Sequence, residues 1–461
     1  MATEAGDDAS VLDPFRQFFA LERDVLVLSL AMLAFSLAFQ MTSRYVPEYL
    51  NVLGASAGVI GLYGSVGNLI SAVYPYPGGA LSDRIGSRLA LTLFGTVATA
   101  GFVLWYVAPA LPVVALPVVA FAVPAFGRVT LGGTVEPWLW LFVGLFLTQA
   151  WKSFGLGATF AVVKQATAEE HLAMGFASTE VFRRLGFLLG PLLAAGLLAV
   201  AADFVTGFQW VLLVAVAFGA VATVAQHVLY DASEDTLGKS FEGISGVVDD
   251  LRSMPATLRP LLVADTLVRF ANGMVYVFFV IVVTDFLSVG FDFAGISLRP
   301  DAFFGVLLGV EMVIALLSMV PVSKLAERTG LTPVVAIGFT VYAVFPIVLI
   351  YAPADQWVLL GLFAVSGLRF AGLPAHKALI VGPAERDAGG RVTGTYYLLR
   401  NTLVIPSAAL GGWLYGSDWA VETGLGTITG GPELAFGVAS TIGVVGVAVF
   451  LVFGQEFEAY T

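Results

Sequence analysis

The chain contains no cysteine, and only 12% of its 461 residues are charged. Without cysteine it can form no disulfide, no thiolate metal site and no cysteine nucleophile. Its three histidines and the absence of an HExxH segment argue against a metal site. No GxxxxGK[ST] loop for ATP is present either. Because no nucleophile and base converge in the sequence, we predict that the chain is not an enzyme and holds no cofactor.

Apolar residues dominate the composition instead. They make up 58% of the chain, and the mean hydropathy is +0.90, which exceeds what one soluble core can bury. Runs of about 20 apolar residues predict membrane-spanning helices. We therefore predict an all-α membrane protein with twelve transmembrane helices. The predicted spans are 24–46, 56–80, 88–109, 137–163, 173–201, 208–230, 260–287, 301–322, 332–352, 357–382, 391–415 and 433–454.

The Lys and Arg residues orient these spans. With the N-terminus placed inside, twelve of the 22 lie on the cytoplasmic side, and only Arg128 and Arg299 lie outside. This asymmetry predicts a cytoplasmic membrane protein with both termini in the cytoplasm. The remaining eight fall inside predicted spans and are the functional candidates. They are Arg44, Lys152, Arg183, Arg184, Arg269, Arg369, Lys377 and Arg400.

The net charge of -11 has two interpretations. It can indicate a cationic partner, or it can be the acidic surface expected of a protein in a high-salt cytoplasm. The acidic residues cluster in the termini and in loops such as 231–235, which favours the second interpretation and a halophilic archaeal source. The Gly-rich and Phe-rich spans indicate helix packing and lipid contact, and nothing in them predicts nucleic-acid binding.

One segment occurs twice. Residues 79–88 read GALSDRIGSR between two apolar runs, and residues 323–330 read SKLAERTG, so that Asp83, Arg84 and Gly86 correspond to Glu327, Arg328 and Gly330. The acidic side chain can accept from helix N-terminal amides, the glycine permits the chain to reverse, and the arginines favour the cytoplasmic side. The copy lies 244 residues later and indicates an internal duplication.

The duplication continues along most of the chain. Spans one and seven match at an offset of 237, and spans four and ten match at 217. The smaller offset predicts an insertion in the first half, about 110–136, whose apolar stretch is too short and too rich in proline to span a membrane. The predicted organisation is an N-terminus (1–23), a first bundle (24–230), a cytoplasmic linker (231–259), a second bundle (260–454) and a tail (455–461).

These motifs resemble the major facilitator superfamily (MFS) of transporters, and the resemblance covers essentially the whole chain. It implies two pseudo-symmetric six-helix bundles, a substrate site between them near mid-membrane, and alternating access. It also implies a conformational switch loop formed by Gly79, Asp83, Arg84, Gly86 and Arg88, with Glu327 and Arg328 in the copy. Residues 186–191 are similar to the glycine-proline motif of the family's antiporters, although Ala177, Ala194 and Ala195 stand where that motif prefers glycine.

Charged residues within the spans predict the substrate class. Lys152 and Arg369 occupy equivalent positions of spans four and ten, and like Arg400 they have no acid within a helical turn. A cavity with surplus positive charge favours an anionic substrate. The alternative is that these cations face distant acids such as Glu311 across helix interfaces. The predicted substrate-binding residues are Gln40, Arg44, Gln149, Lys152, Arg269, Asn272, Arg369 and Arg400.

Coupling to an ion needs a titratable group in a water-accessible pocket. Glu311 stands alone among apolar residues and is the first candidate. Asp265 and Glu180 are further candidates, although each is spaced to form an intrahelical ion pair, with Arg269 and with Arg183 or Arg184. His376 is another, with a structural role as its alternative. A proton or a sodium ion fits these residues.

Three classes of function can be compared on these features: a secondary transporter, a non-transporting receptor or scaffold of the same fold, and a membrane enzyme. The duplicated bundles and the basic residues favour a monomeric transporter of a small, anionic or amphipathic organic solute. Proton-coupled export is the first expectation within that class, and ion-coupled uptake of an organic anion is the alternative.

Overall fold

The computed structural model describes residues 23–123, 127–154, 172–230, 257–381, 389–417, 419–423 and 426–456. The predicted linker lies almost wholly outside these ranges, as do the N-terminus and most of the tail. In the described part of the chain, nine helices are long and apolar enough to cross a membrane. A shorter apolar helix, Ala57–Val73, adds to them.

The first half of the chain contains eight helices and one β-hairpin among its described residues. They are α1 (Arg23–Ser43), α2 (Val46–Val52), α3 (Ala57–Val73), α4 (Pro75–Ile85), α5 (Ser87–Val107), β1 (Val114–Val123), β2 (Gly127–Val135), α6 (Leu139–Gln149), α7 (Leu172–Val200) and α8 (Phe204–Leu229). A π-helical turn, Ala150–Phe154, extends α6.

The described second half contains nine helices and two short hairpins. They are α9 (Leu258–Val275), α10 (Phe279–Ile281), β3 (Phe291–Phe293), β4 (Ile296–Leu298), α11 (Pro300–Thr329), α12 (Leu331–Ile350), α13 (Gln356–Gly367), α14 (Leu373–Val381), α15 (Gly389–Val404), α16 (Ser407–Tyr415), β5 (Ala420–Thr423), β6 (Gly426–Thr429) and α17 (Pro432–Phe453). A 3₁₀ turn, Tyr276–Phe278, precedes α10, and a π-helical turn, Val282–Phe286, follows it.

Two of the twelve predicted spans are divided at a proline in the structure. The predicted span 56–80 consists of α3 and α4, which meet at Tyr74 and Pro75. The span 391–415 consists of α15 and α16, with Pro406 at the start of the second helix. Proline lacks the amide that would donate to the preceding turn, so one helix ends and the next begins there. The span 137–163 leaves the described residues after Phe154.

The duplicated motif forms the same turn in both halves. Gly86 separates α4 from α5 with a φ of 87°, and Gly330 separates α11 from α12 with a φ of 90°. Side chains other than glycine rarely adopt this region, which explains the glycine at both positions. These two turns lie at one end of the helices, which we call the motif face. The other end is the opposite face.

Three of the described helices that start at the opposite face, α3, α8 and α13, have side-chain caps. Ser56 Oγ accepts from the amide of Val59 at 3.4 Å, and Asp355 Oδ1 accepts from the amide of Trp357 at 2.9 Å. Asp203 accepts from both the amide and the hydroxyl of Thr206, and these hydrogen bonds lower the pKa of Asp203. The caps satisfy amides that the first helical turn leaves without partners.

The predicted insertion forms the hairpin of β1 and β2. Its strands pair antiparallel from Val114 with Val135 to Val123 with Gly127. The register shifts between Leu116 and Val119, where Pro117 cannot donate to the ladder. A hairpin therefore accommodates the apolar stretch that is too short for a span. All three hairpins connect helices at the opposite face.

Deleting residues 111–135 and joining Ala110 to Glu136 with a short Gly-Ser linker is expected to leave the helices folded. The strands of this hairpin pair chiefly with each other, and the second half closes the corresponding connection between α12 and α13 without such a segment. A change in melting temperature of only a few degrees is expected. Loss of a monodisperse peak in size-exclusion chromatography would show that the hairpin belongs to the core.

The buried apolar residues are distributed differently at the two faces. Near the opposite face, one cluster contains residues of both halves, among them Tyr49 and Phe208 of the first and Phe279 and Phe303 of the second. Near the motif face, the described buried residues form two clusters, one in each half. The halves are therefore packed together at the opposite face and separate toward the motif face.

Candidate functional site

Two helix pairs make most of the contact between the described parts of the two halves. Helix α3 packs on α16, and α7 packs on α11. A Cβ atom at Gly412 would lie 2.5 Å from the carbonyl oxygen of Ala57 and 2.8 Å from Cα of Gly61. A Cβ atom at Gly305 would likewise lie 2.6 Å from the carbonyl oxygen of Pro191. Only glycine permits backbones to approach this closely.

Hydrogen bonds between the halves accompany this packing at the opposite face. Asn51 Nδ2 donates to Asp285 at 2.7 Å, and Thr284 Oγ1 donates to Glu48 at 3.1 Å. The guanidinium of Arg299 donates to the carbonyl oxygens at the end of α7 at 2.7 and 3.1 Å. Arg299 also forms an ion pair with Asp301 at 2.8 Å, which raises the pKa of Arg299. The opposite face is therefore closed by polar contacts as well as by glycine packing.

A cavity of about 260 Å³ lies between the halves, next to the contact of α3 with α16. Helices α3, α9 and α15 and the 3₁₀ turn that follows α9 supply its polar wall. Its polar lining residues are Asn68, Arg269, Asn272, Tyr276, Arg400 and Asn401. The lining thus combines two guanidinium groups with three carboxamides, which are the groups that recognise carboxylates and other polar solutes.

Both cavity arginines share one buried carboxylate. Asp265 is fully buried on α9, and Arg269 approaches its Oδ1 at 3.3 Å in the predicted intrahelical ion pair. Arg400 approaches Oδ2 at 3.0 Å, and the hydroxyl of Tyr396 donates to the same oxygen at 3.2 Å. Nε2 of His376 also lies 3.2 Å from Oδ2. Arg400 therefore has an acidic partner, which its sequence neighbourhood did not reveal.

A second buried ion pair lies apart from the cavity. Arg369 NH2 contacts Glu311 Oε1 at 2.5 Å, and both side chains are 3% exposed or less. Ser366 donates to the same carboxylate at 2.6 Å. Glu311 therefore has a basic partner, although its sequence neighbours are apolar. The physical reason is that α13 and the following turn bring Arg369 against α11.

The structure does not bring Lys152 and Arg369 together in this cavity. Among the described residues that line the cavity, neither of them occurs. Lys152 Nζ lies 4.2 Å from the ring centroid of Phe39, and its side chain is exposed. Arg369 is paired with Glu311, as the alternative interpretation predicted. The repeat places the two residues at matching depth but does not determine where their side chains point.

The other predicted substrate residues are distributed around the cavity. Arg269, Asn272 and Arg400 line it directly. The guanidinium of Arg44 lies 4.3 Å from the ring centroid of Tyr276, which is a lining residue. Gln40 and Gln149 are buried in the first half, and Oε1 of Gln149 has no hydrogen-bond partner among the described residues. The side chain of Glu180 lies outside the described residues.

The predicted switch residues lie at the motif face. Gly79 and Asp83 belong to α4, and Arg84 is exposed at its end. Arg88 Nε donates to the carbonyl oxygen of His227 at 2.6 Å, which ties the turn to the end of α8. In the copy, Arg328 is exposed. The side chains of Asp83 and Glu327 lie outside the described residues.

Sequence reasoning missed several residues of the cavity and its surroundings. Asn68 and Tyr276 line the cavity, and Tyr342 accepts from Arg269 NH1 at 2.9 Å. Tyr396 precedes Arg400 by one helical turn and so reaches the same carboxylate. A search for polar and tyrosine side chains one turn from each intramembrane charge would have found Tyr396, because residues four apart share a helix face.

Comparison with solved structures defines the fold. A mutant of the nucleoside transporter NupG superposes with a TM-score of 0.69 over 94% of this chain and 99% of that one, at 11% identity. A POT family peptide transporter in complex with sulfate superposes with a TM-score of 0.66 over 96% and 97%, at 15% identity. The chain therefore has the major facilitator fold, as predicted.

A curated relative is described as a transporter of the same superfamily. An uncharacterised MFS-type transporter of Mycobacterium tuberculosis is 26% identical over 441 residues, covering 94% of this chain and 93% of that protein. No protein-family model matches the chain. These relatives and solved structures are described as transporters, and none is described as an enzyme, which agrees with the prediction from sequence.

Proposed function

We propose that this chain is a secondary active transporter that moves a small organic anion across the membrane by alternating access. The observation that carries the proposal is the polar cavity between the halves, with Arg269 and Arg400 on its wall, beneath a closed opposite face. A solute held there is shielded from the opposite face by backbone packing of α3 on α16. Separation of this pair would expose the cavity to that side.

The charges of the side chains at the cavity support an anionic solute. Arg269 and Arg400 share the single carboxylate of Asp265, so these three side chains together carry a surplus positive charge. Arg44 adds a further cation from the first half, because its guanidinium lies 4.3 Å from the ring centroid of the lining residue Tyr276. A carboxylate in the cavity would recover charge-assisted hydrogen bonds from the guanidinium groups and offset the surplus. The carboxamides of Asn272 and Asn401 suit further polar groups of the solute.

We also propose how the chain is oriented in the membrane and to which ion transport is coupled. The distribution of Lys and Arg supports a cytoplasmic motif face, cytoplasmic termini and residence in the cell membrane. Proton coupling is proposed because His376 and Asp265 lie beside the cavity arginines. We further propose a monomer, and a halophilic archaeal source on the strength of the net charge of -11.

Replacing Arg400 with glutamine is expected to weaken binding of carboxylates at least about tenfold, or roughly 1.4 kcal/mol. Arg269 and His376 still face Asp265 in this variant, so folding should persist. Thermal-shift titrations with acetate, lactate and succinate, beside the uncharged acetamide and lactamide, measure the effect. The matched control is Lys377→Gln, which removes an exposed cation of the same half. Equal weakening for charged and uncharged ligands would contradict an anion site.

A further inference from the structure

Arg44 is a cation of the first half whose hydrogen-bond donors have no acceptor. It lies in the turn between α1 and α2, and its guanidinium lies over the ring of Tyr276, 4.3 Å from the centroid. Within the described part of the chain, no carboxylate or carbonyl oxygen accepts from it. A contact with a ring uses the face of the guanidinium, whereas its N–H donors lie in the plane of the group. These donors therefore remain available to a ligand.

The charged groups around Arg44 do not neutralise it. Glu311 and Arg369 both lie within electrostatic range of its guanidinium. Their effects on Arg44 are opposite in sign, because these two residues form an ion pair, and Ser366 also donates to the carboxylate. A cation inside a membrane protein is costly without a counter-charge, so such residues commonly mark the path of a charged solute. Arg44 thus contributes one surplus positive charge.

The surplus charges lie at two separate positions along the cavity wall. Arg269, Asn272 and Tyr276 follow one another at intervals of three and four residues, so they share one face of α9 and of the 3₁₀ turn after it. A rise of 1.5 Å per residue separates the backbones of Arg269 and Tyr276 by about 10 Å. At the first position, Arg269 and Arg400 leave one surplus charge after pairing with their shared carboxylate. At the second position, the surplus charge belongs to Arg44, over the ring of Tyr276.

We propose that the solute is a short dicarboxylate, with one carboxylate bound by Arg269 and Arg400 and the other bound by Arg44. The inference rests on the proposed function and specifies its substrate class. Two separate surplus charges match two separated carboxylates, whereas a monocarboxylate would leave Arg44 without a counter-charge. The cavity volume of about 260 Å³ favours a short chain between the carboxylates. Arg44 then determines specificity, because it distinguishes a dicarboxylate from a monocarboxylate of the same length.

The test compares succinate with succinamate, in which a carboxamide replaces one of the two carboxylates. Thermal-shift titrations of the purified full chain at pH 8 measure both affinities. The wild-type chain should bind succinate at least about tenfold more tightly, because only succinate gives Arg44 a charged acceptor. Arg44→Gln should bring the two affinities to within about twofold by weakening succinate alone. The matched control is Arg259→Gln, which removes an exposed cation of α9 and should retain the preference.

A second measurement needs no variant. Fumarate holds its two carboxylates apart and maleate holds them together, so the wild-type chain should bind fumarate more tightly if the two positions are separate.

Four results would overturn the inference. Equal affinities of the wild-type chain for succinate and succinamate would exclude a second carboxylate site while leaving the anion site intact. A preference for succinate that persists in Arg44→Gln would assign the second carboxylate to another residue. Equal weakening of both ligands in Arg44→Gln would assign Arg44 to folding or conformation, and equal binding of fumarate and maleate would contradict separate positions. Absence of binding by every one of these carboxylates would instead overturn the anion site on which the inference rests.

Discussion

Replacing Arg369 with alanine is expected to destabilise the protein by about 3–5 kcal/mol. The substitution leaves Glu311 buried with Ser366 as its remaining hydrogen-bond donor among the described residues. It also removes a guanidinium packed among the rings of Tyr342 and Phe370, at 5.3 and 4.9 Å from their centroids. Chemical unfolding of the purified chain in detergent, monitored by tryptophan fluorescence, measures the loss. Lys324→Ala, an exposed cation on the same helix as Glu311, is the matched control.

The double variant Glu311→Gln with Arg369→Ala separates two explanations of the stability lost in Arg369→Ala. If the cost comes from an uncompensated buried charge, removing that charge should recover a large part of the stability lost in the single variant. If the cost comes from packing of the guanidinium among the rings, the double variant should remain as unstable as Arg369→Ala. A loss below about 1 kcal/mol in the single variant would contradict a structural ion pair.

The helical class and the matched turns were predictable because both depend on local sequence. Hydropathy identifies apolar runs, and the glycine of each duplicated motif identifies a position with positive φ. Breaks within the apolar runs were harder to predict. Pro75 and Pro406 mark divisions in two spans, but hydropathy is continuous across both. The hairpin of β1 and β2 illustrates the same difficulty, since its apolar run could be excluded as a span without indicating strands.

The candidate site was predictable where its contacts lie within one helix. The spacing of Asp265 and Arg269 indicates their ion pair, and the structure contains it. Arg400 lies 135 residues from Asp265, and the pair forms only because α9 and α15 pack side by side. The pairing of Arg369 with Glu311 likewise depends on packing between helices. Whether an intramembrane cation lines a cavity or is paired cannot be inferred from its depth alone.

Replacing Gly412 with alanine is expected to shift the protein toward a state open at the opposite face. The added methyl group would lie 2.5 Å from the carbonyl oxygen of Ala57 and 2.8 Å from Cα of Gly61, so α3 and α16 must separate. Overpacking of this kind costs about 1–3 kcal/mol. Because the cost applies only to the closed state, it should raise the ratio of open to closed molecules by roughly 5- to 150-fold.

The absence of cysteine makes this shift measurable. A single cysteine introduced at Asn68, on the cavity wall, would be the only thiol in the chain. Its reaction with a membrane-impermeant maleimide added at the opposite face should accelerate at least about tenfold in Gly412→Ala, in line with the expected shift. The matched control is Gly67→Ala on α3, where an added Cβ would meet no atom within 4 Å. An unchanged labelling rate in correctly folded Gly412→Ala would contradict this prediction. It would show that the backbone contact between α3 and α16 does not keep the maleimide out of the cavity.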